Sequence, residues 1–286
     1  MGALSPAARC RRGISRFLAA ARQAEVAVAT TTCARGQMAS STWAGTGMSQ
    51  DDFMQKDECL VVDEQDRLVG TANKYDCHRF NQPGQPAGRL HRAFSVFLFG
   101  PDGRLLLQQR AASKVTFPSV WTNTCCSHPL AGQQPPEVDA PEQVADGSVP
   151  GVRAAAVRKL EHELGIPAGQ VPASSFRFLT RLHYCAADAD THGPASPWGE
   201  HEIDYILLAQ TEEPVTLAPN ADEVDAVRYV TLPELQAMMD PGSGLSWSPW
   251  FRILATRFLP AWWADLPAAL HSDKHADRAT IHRVLG

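Results

Sequence analysis

The sequence predicts an α+β protein, with a mixed β-sheet sandwiched between helices. Three observations carry this. Short apolar runs rich in Val, Leu and Phe come first and are punctuated by turn residues. A strongly periodic helix interrupts the strands, and more strands follow it. The C-terminal end is aromatic and helical.

Taken in order, residues 58–63 (ECLVVD) and 67–72 read as two strands joined by a tight turn at Glu64-Gln65-Asp66. Residues 81–88 form a loop. Residues 92–99 (RAFSVFLF) form an apolar strand, and the turn Gly100-Pro101-Asp102-Gly103 predicts a hairpin with 105–109 as its partner. Residues 133–150 contain four prolines and four acids, which predicts an irregular surface insertion. Residues 151–164 form a helix, because Val152, Ala156, Leu160 and Leu164 recur on one face; Gly165 and Pro167 end it. Strands follow at 176–185, 202–209 and 224–230, with a loop over 187–199. A helix opens at Pro233 within 232–239, and the tail 248–263 reads as one aromatic-rich helix.

Composition excludes several classes. With 286 residues and 44% hydrophobic content, the chain is long enough for a sizeable core. No run of 18 apolar residues is present, so no membrane span is expected. Seven cysteines without regular spacing, two of them adjacent, predict a reducing compartment and no disulfide framework. Residues 1–50 hold six arginines and one acid, which leaves 20 basic and 30 acidic residues and a charge of −10 for the rest. Such an acidic body is a poor nucleic-acid binder. The basic, Ala/Ser/Thr-rich start lacks an apolar signal region and predicts an organelle transit peptide over 1–52, followed by a single domain over 53–286. The expected address is the plastid, with the mitochondrion or cytosol as alternatives.

The strand beginning Glu200-His201-Glu202-Ile203-Asp204 carries the chemistry. At period two, Glu200, Glu202 and Asp204 share a face that turns apolar at Ile206 and Leu208. Carboxylates entering a core repel one another and lose hydration, and a bound cation removes that cost. His128, within the polar segment 121–130 (WTNTCCSHPL), and His91 and His78 upstream offer imidazoles. Imidazole and carboxylate together suit Mn²⁺, Zn²⁺ or Mg²⁺. Cys126 lies two residues from His128, where a neighbouring cation is expected to lower its pKa; Cys125 should face away. The other seven histidines, His162, His183, His192 and His201 among them, have no comparable partners.

Trp121-Thr122-Asn123-Thr124-Cys125-Cys126-Ser127-His128-Pro129, Trp198-Gly199-Glu200-His201-Glu202 and Ser248-Pro249-Trp250 resemble the three signatures of type I isopentenyl-diphosphate isomerases. The resemblance runs from about Gln55 to the C-terminus, and Pro249-Trp250-Phe251 with Ala261-Trp262-Trp263 is similar to the eukaryotic branch. It implies a Nudix fold. The Nudix hydrolase pattern is Arg-Glu-apolar-x-Glu-Glu-x-Gly-apolar. In residues 158–166 (RKLEHELGI), Arg158, Leu160, Glu163, Gly165 and Ile166 fit, whereas Lys159 and His162 replace glutamates. A hydrolase needs that carboxylate cluster to activate water, so the departure favours an isomerase. A Nudix diphosphate hydrolase and a non-catalytic metal-binding module are the competing readings.

The resemblance implies conversion of isopentenyl to dimethylallyl diphosphate, a small homoallylic-to-allylic exchange, by a monomer or weak oligomer. It implies Cys126 and Glu202 as the proton-transfer pair, with Tyr184 beside Glu202. One ion is implied on His78, His91, His128, Glu200 and Glu202, where Mn²⁺ or Zn²⁺ could sit, and Mg²⁺ on Glu163 with the diphosphate. Lys74, Arg110 and Lys114 are implied phosphate contacts. Trp250 is implied to face a carbocation, and Trp121 to close another wall.

Overall fold

A computed structural model describes residues 50–285. Most of the expected transit peptide therefore lies outside the described residues, and the boundary drawn after residue 52 falls inside the first helix. The elements run α1 Gln50–Lys56, β1 Glu58–Val62, β2 Leu68–Asn73, α2 Lys74–His78, β3 His91–Phe99, β4 Leu105–Arg110, β5 Trp121–Thr122 and β6 Cys125–Ser127. They continue α3 Pro141–Asp146, α4 Pro150–Leu164, β7 Arg177–Ala187, α5 Ala189–His192, β8 Gly199–Gln210 and β9 Val224–Val230. The tail is α6 Leu232–Met239, α7 Pro249–Arg257, α8 Leu259–Ala264, α9 Leu266–His271 and β10 Ile281–Leu285.

Strand β3 organises the sheet, and every one of its residues is buried. One edge pairs in parallel with β8, from His91 opposite Glu202 to Phe99 opposite Gln210. The other edge pairs with β1 at His91 and antiparallel with β6, where Ser95 faces Cys126. Strand β7 runs antiparallel to β8, and β10 lies parallel beside β7. Helix α4 covers one face through Val152, Ala156, Leu160 and Leu164 against Phe94, Val96 and Leu98. Helices α6 to α9 cover the other through Leu235, Trp250, Phe251, Leu254 and Trp262 against Phe97 and Phe99. This is the expected mixed sheet between helices.

Three expectations are corrected. The hairpin of β3 and β4 is reduced to one pair, Phe99 with Leu105; β4 pairs mainly with β9 and also with β5. An apolar strand buried on both faces does not announce its neighbour. The insertion 133–150 is neither wholly irregular nor wholly superficial, since it contains α3 and buries Glu137 and Asp139. Asp139 accepts from the Gly151 and Val152 amides at 2.6 and 2.9 Å, satisfying the first donors of α4. A Cβ on Gly151 would lie 2.6 Å from the Glu137 carbonyl carbon, so this close crossing needs glycine. Finally, the tail is not one helix. Pro260 and Pro267 each sit in a first turn and restart the helix as α8 and α9, because proline lacks the N–H that a continuing helix requires.

Candidate active site and metal centre

The site is built where β8, β3, β6 and α2 meet. Period two on β8 sends Glu200 and Glu202 to one side. The register sets His91 beside Glu202 on one strand and Tyr184 beside it on the other. His128 follows β6. His78 ends α2, whose start is capped by the Asn73 side-chain oxygen accepting from the Asp76 amide at 2.8 Å. Gly88, at φ 68°, lets the returning loop pass over α2; a Cβ there would lie 2.5 Å from the Cys77 carbonyl.

One donor atom from each of His78, His91, His128, Glu200 and Glu202 lies within 4.8 Å of the others, and all five residues are buried. His78 Nε2 lies 2.8 Å from Glu200 Oε2, and His128 Nε2 lies 2.8 Å from Glu202 Oε1. His91 Nε2 stands 3.6 Å from the same Glu202 oxygen. The remote nitrogens decide the tautomers. His78 Nδ1 faces the Lys74 carbonyl at 2.6 Å and His91 Nδ1 the Arg89 carbonyl at 2.7 Å. Carbonyls only accept, so Nδ1 carries the proton and Nε2 turns a lone pair to the centre. The Nε2 atoms of both rings and Glu200 Oε2 are buried with no hydrogen-bond partner. Such a donor set fits a divalent cation.

The charges agree with that fit. Burial works to raise the Glu202 carboxyl, but His91, Tyr184 and His78 outweigh it and hold it below the usual range. Glu200 is likewise held down, burial being outweighed chiefly by His78. Burial opposes charge on His91, yet Glu202 pulls its pKa up to about 9, so without an ion its Nε2 also holds a proton, which a bound cation would displace to free the lone pair. His128 is pushed well down by burial and by His91 and His78. With ring centroids 4.8 to 5.0 Å apart, the three imidazoles do not all take protons. Asp204 does not join this group. It accepts from the Ser95 hydroxyl at 2.8 Å, and burial with Glu202 nearby drives it well above the carboxylate range, towards a neutral acid.

Cys126, Tyr184, Glu163, Trp250, Lys74, Arg110 and Lys114 line one pocket with His128, Glu200 and Glu202. Tyr184 donates its hydroxyl hydrogen bond to Glu202 Oε2. Arg110 Nη1 approaches Cys126 Sγ at 3.9 Å and its guanidinium lies 5.6 Å from the Trp250 ring centroid. In the protein without an ion, burial pushes the Cys126 thiol up to about 12 and outweighs the opposing pull of Arg110. The lowering expected from a neighbouring cation would have to come from a bound metal. Cys125 faces away from the pocket as expected, and its thiol meets Glu163 Oε2 at 3.4 Å. Trp121 does not line the pocket; its backbone bridges to Trp247.

Glu163 accepts from Gln108 at 3.1 Å and lies 3.2 Å from the Lys159 ammonium. Sequence reasoning missed three partners. Thr116 donates to Glu200 Oε1 at 2.7 Å. Gln108 holds Glu163. Glu223, buried at the foot of β9, ion-pairs with Lys114 and lies 3.9 Å from His162. Each is remote in sequence from the group it touches. Only the apolar surroundings of Gln108 on β4 offered a signal.

The chain matches the NUDIX domain family over residues 89–251. It is 46% identical over 229 residues to an isopentenyl-diphosphate delta-isomerase from Phaffia rhodozyma, an alignment covering 80% of this chain and 84% of that protein. The chain belongs to the isopentenyl-diphosphate delta-isomerase family. A member from Candida albicans is 44% identical over 81% of this chain and 80% of its own length. A Cannabis sativa member, described as chloroplastic, is 44% identical over 86% and 81%. Helix α4 carries Lys159 and His162 at the two places where the Nudix hydrolase pattern has glutamates. Among the described residues no helix is long and apolar enough to cross a membrane.

Proposed function

We infer that this chain interconverts isopentenyl and dimethylallyl diphosphate in isoprenoid biosynthesis by a metal-dependent 1,3-allylic proton shift. The observation carrying this is the placement of Cys126 and Glu202 on β6 and β8, either side of β3, with both side chains on one pocket. A proton delivered to the terminal alkene carbon leaves a tertiary cation. Removal of a proton from the neighbouring methylene then sets the double bond in its new place. Cys126 and Glu202 are the proposed donor and acceptor, and they exchange roles in the reverse direction. Tyr184, hydrogen-bonded to Glu202, orients that carboxyl and passes its proton.

Trp250 presents its ring to the cation. Its indole N–H donates to Asn123 Oδ1 at 3.2 Å, which fixes the ring plane. Lys74, Arg110 and Lys114 hold the diphosphate. His78, His91, His128, Glu200 and Glu202 would hold one ion, for which the nitrogen-rich donors favour Zn²⁺ or Mn²⁺, and Glu163 would hold Mg²⁺ brought with the diphosphate. When bound, these ions supply positive charge that neutralises the diphosphate and the paired carboxylates.

The test is deuterium uptake by isopentenyl diphosphate in D₂O. Metal-loaded enzyme should exchange deuterium and form dimethylallyl diphosphate; a chelator should stop it and added metal restore it. Metal-replete enzyme that takes up no deuterium, or that releases phosphate from diphosphate substrates instead, overturns the reading. We propose further that residues 1–52 address the chain to the plastid, a reading supported by their composition and by the chloroplastic relative. Isolated chloroplasts should import and shorten the full chain; import by mitochondria alone would contradict this.

A further inference from the structure

A second cationic cavity lies at the far end of β7. From Tyr184 to Arg177 the strand runs seven residues, about 23 Å at ~3.3 Å per residue. The cavity has a volume of about 660 Å³ and is lined by Arg153 from the first turn of α4, Arg177, Ser174, Ser175, Thr211 and His271. That volume falls within the range of small-molecule sites. Phe176 and Leu270, both buried, add an apolar wall.

The arginines here outnumber the carboxylates paired with them. Arg153 donates to the Gly147 carbonyl at 3.1 Å, and among the described residues no carboxylate lies within ion-pair reach of it. Arg177 and Arg278 share one carboxylate, Asp273, which is 72% exposed and so well screened by water. The Nε atoms of Arg153 and Arg177 are buried without hydrogen-bond partners, as is the Thr211 hydroxyl. Unpaired buried donors of this kind carry a desolvation cost that a bound acceptor removes. Burial, together with Arg177 and Arg278, outweighs Asp139 and Asp146 and lowers the pKa of Arg153. Glu212 also lines the cavity, from an exposed position.

We propose that this cavity is a second anion site, distinct from the reaction pocket, that takes the phosphate group of a small organic phosphate on Arg153 and Arg177. The planar guanidinium forks match phosphate oxygens, the Ser174 and Ser175 hydroxyls supply further donors, and Phe176 with Leu270 receives the carbon portion.

Calorimetric titration of the full chain with inorganic pyrophosphate tests this. Wild type should bind two equivalents. Arg153→Gln with Arg177→Gln should bind one, with isomerase turnover within about twofold of wild type. Ser174→Glu, at an exposed position, adds a carboxylate to the cavity and should remove the same equivalent without disturbing the fold. Lys114→Gln should weaken the other equivalent and spare this one. A single equivalent in wild type, or a second equivalent that survives Ser174→Glu and the double arginine variant, overturns the proposal.

Discussion

Two pairs of buried carboxylates lie in and beside the reaction pocket, and they are neutralised in different ways. Glu200 and Glu202 face three imidazoles; the Nε2 atoms of His78 and His91 are buried without hydrogen-bond partners, and that of His128 bonds Glu202. Glu163 and Glu223 face ammonium groups, Lys159 and Lys114. Burial raises the Glu223 carboxyl, but Lys114 and Lys159 outweigh it and hold it well below the usual range. An imidazole can surrender its proton to a metal near neutral pH, whereas an ammonium cannot be a ligand until it loses a proton near pH ~10. The first pair is thus prepared for a resident ion. The second already has its counter-charges, so an ion at Glu163 must arrive with charge of its own, as a diphosphate complex.

Substitutions at the two pairs should separate these roles. The largest effect is expected at the proton-transfer groups. Cys126→Ala and Glu202→Gln should each lower deuterium exchange by about 10³-fold or more, with circular dichroism unchanged; near-normal exchange in either variant would remove that residue from the chemistry. Next, His91→Ala should weaken the resident ion by more than about 100-fold, read by elemental analysis after dialysis, while Glu163→Gln retains it. Loss of the ion from both variants would erase the distinction between the pairs. Trp250→Leu should slow turnover by about 30-fold, the equivalent of ~2 kcal/mol of cation–π stabilisation. Glu163→Gln should chiefly raise KM, by about tenfold, and make it less dependent on Mg²⁺.

The smallest effect lies on the opposite face of β8. His201 stacks on His183, and burial with His183 lowers its pKa from 6.5 to about 4. The unfolded chain therefore binds this proton first. The stabilisation is complete above pH 6.5 and is lost as pH falls towards 4. Because the ring is partly exposed, the loss should be on the order of 1 kcal/mol. His201→Gln should flatten the unfolding free energy across that range in urea titrations.

Legibility followed the range of the interaction. Glu200 and Glu202 were readable because strand alternation is local, and α4 because its stripe repeats within one helix. The exclusion of Asp204 was not, since it depends on Ser95, 109 residues away. Thr116 reaches Glu200 across 84 residues, and Lys114 reaches Glu223 across 109. Glu137 looked like an insertion acid bound for solvent, yet it is buried against the Leu130 amide and the Arg158 guanidinium. Arg158 also donates to the His128 carbonyl, so a segment read as peripheral steadies the backbone of a proposed ligand.

Lys74 occupies two places at once. Its carbonyl holds the His78 ring at 2.6 Å, and its ammonium stem lines the pocket proposed for diphosphate. Metal occupancy and substrate occupancy thus share one residue and form a linked equilibrium. Whatever factor the ion imposes on diphosphate affinity, the diphosphate must return to the ion. Enzyme depleted of metal would then be rescued at lower metal concentration when substrate is present, and the size of that shift would report the coupling directly.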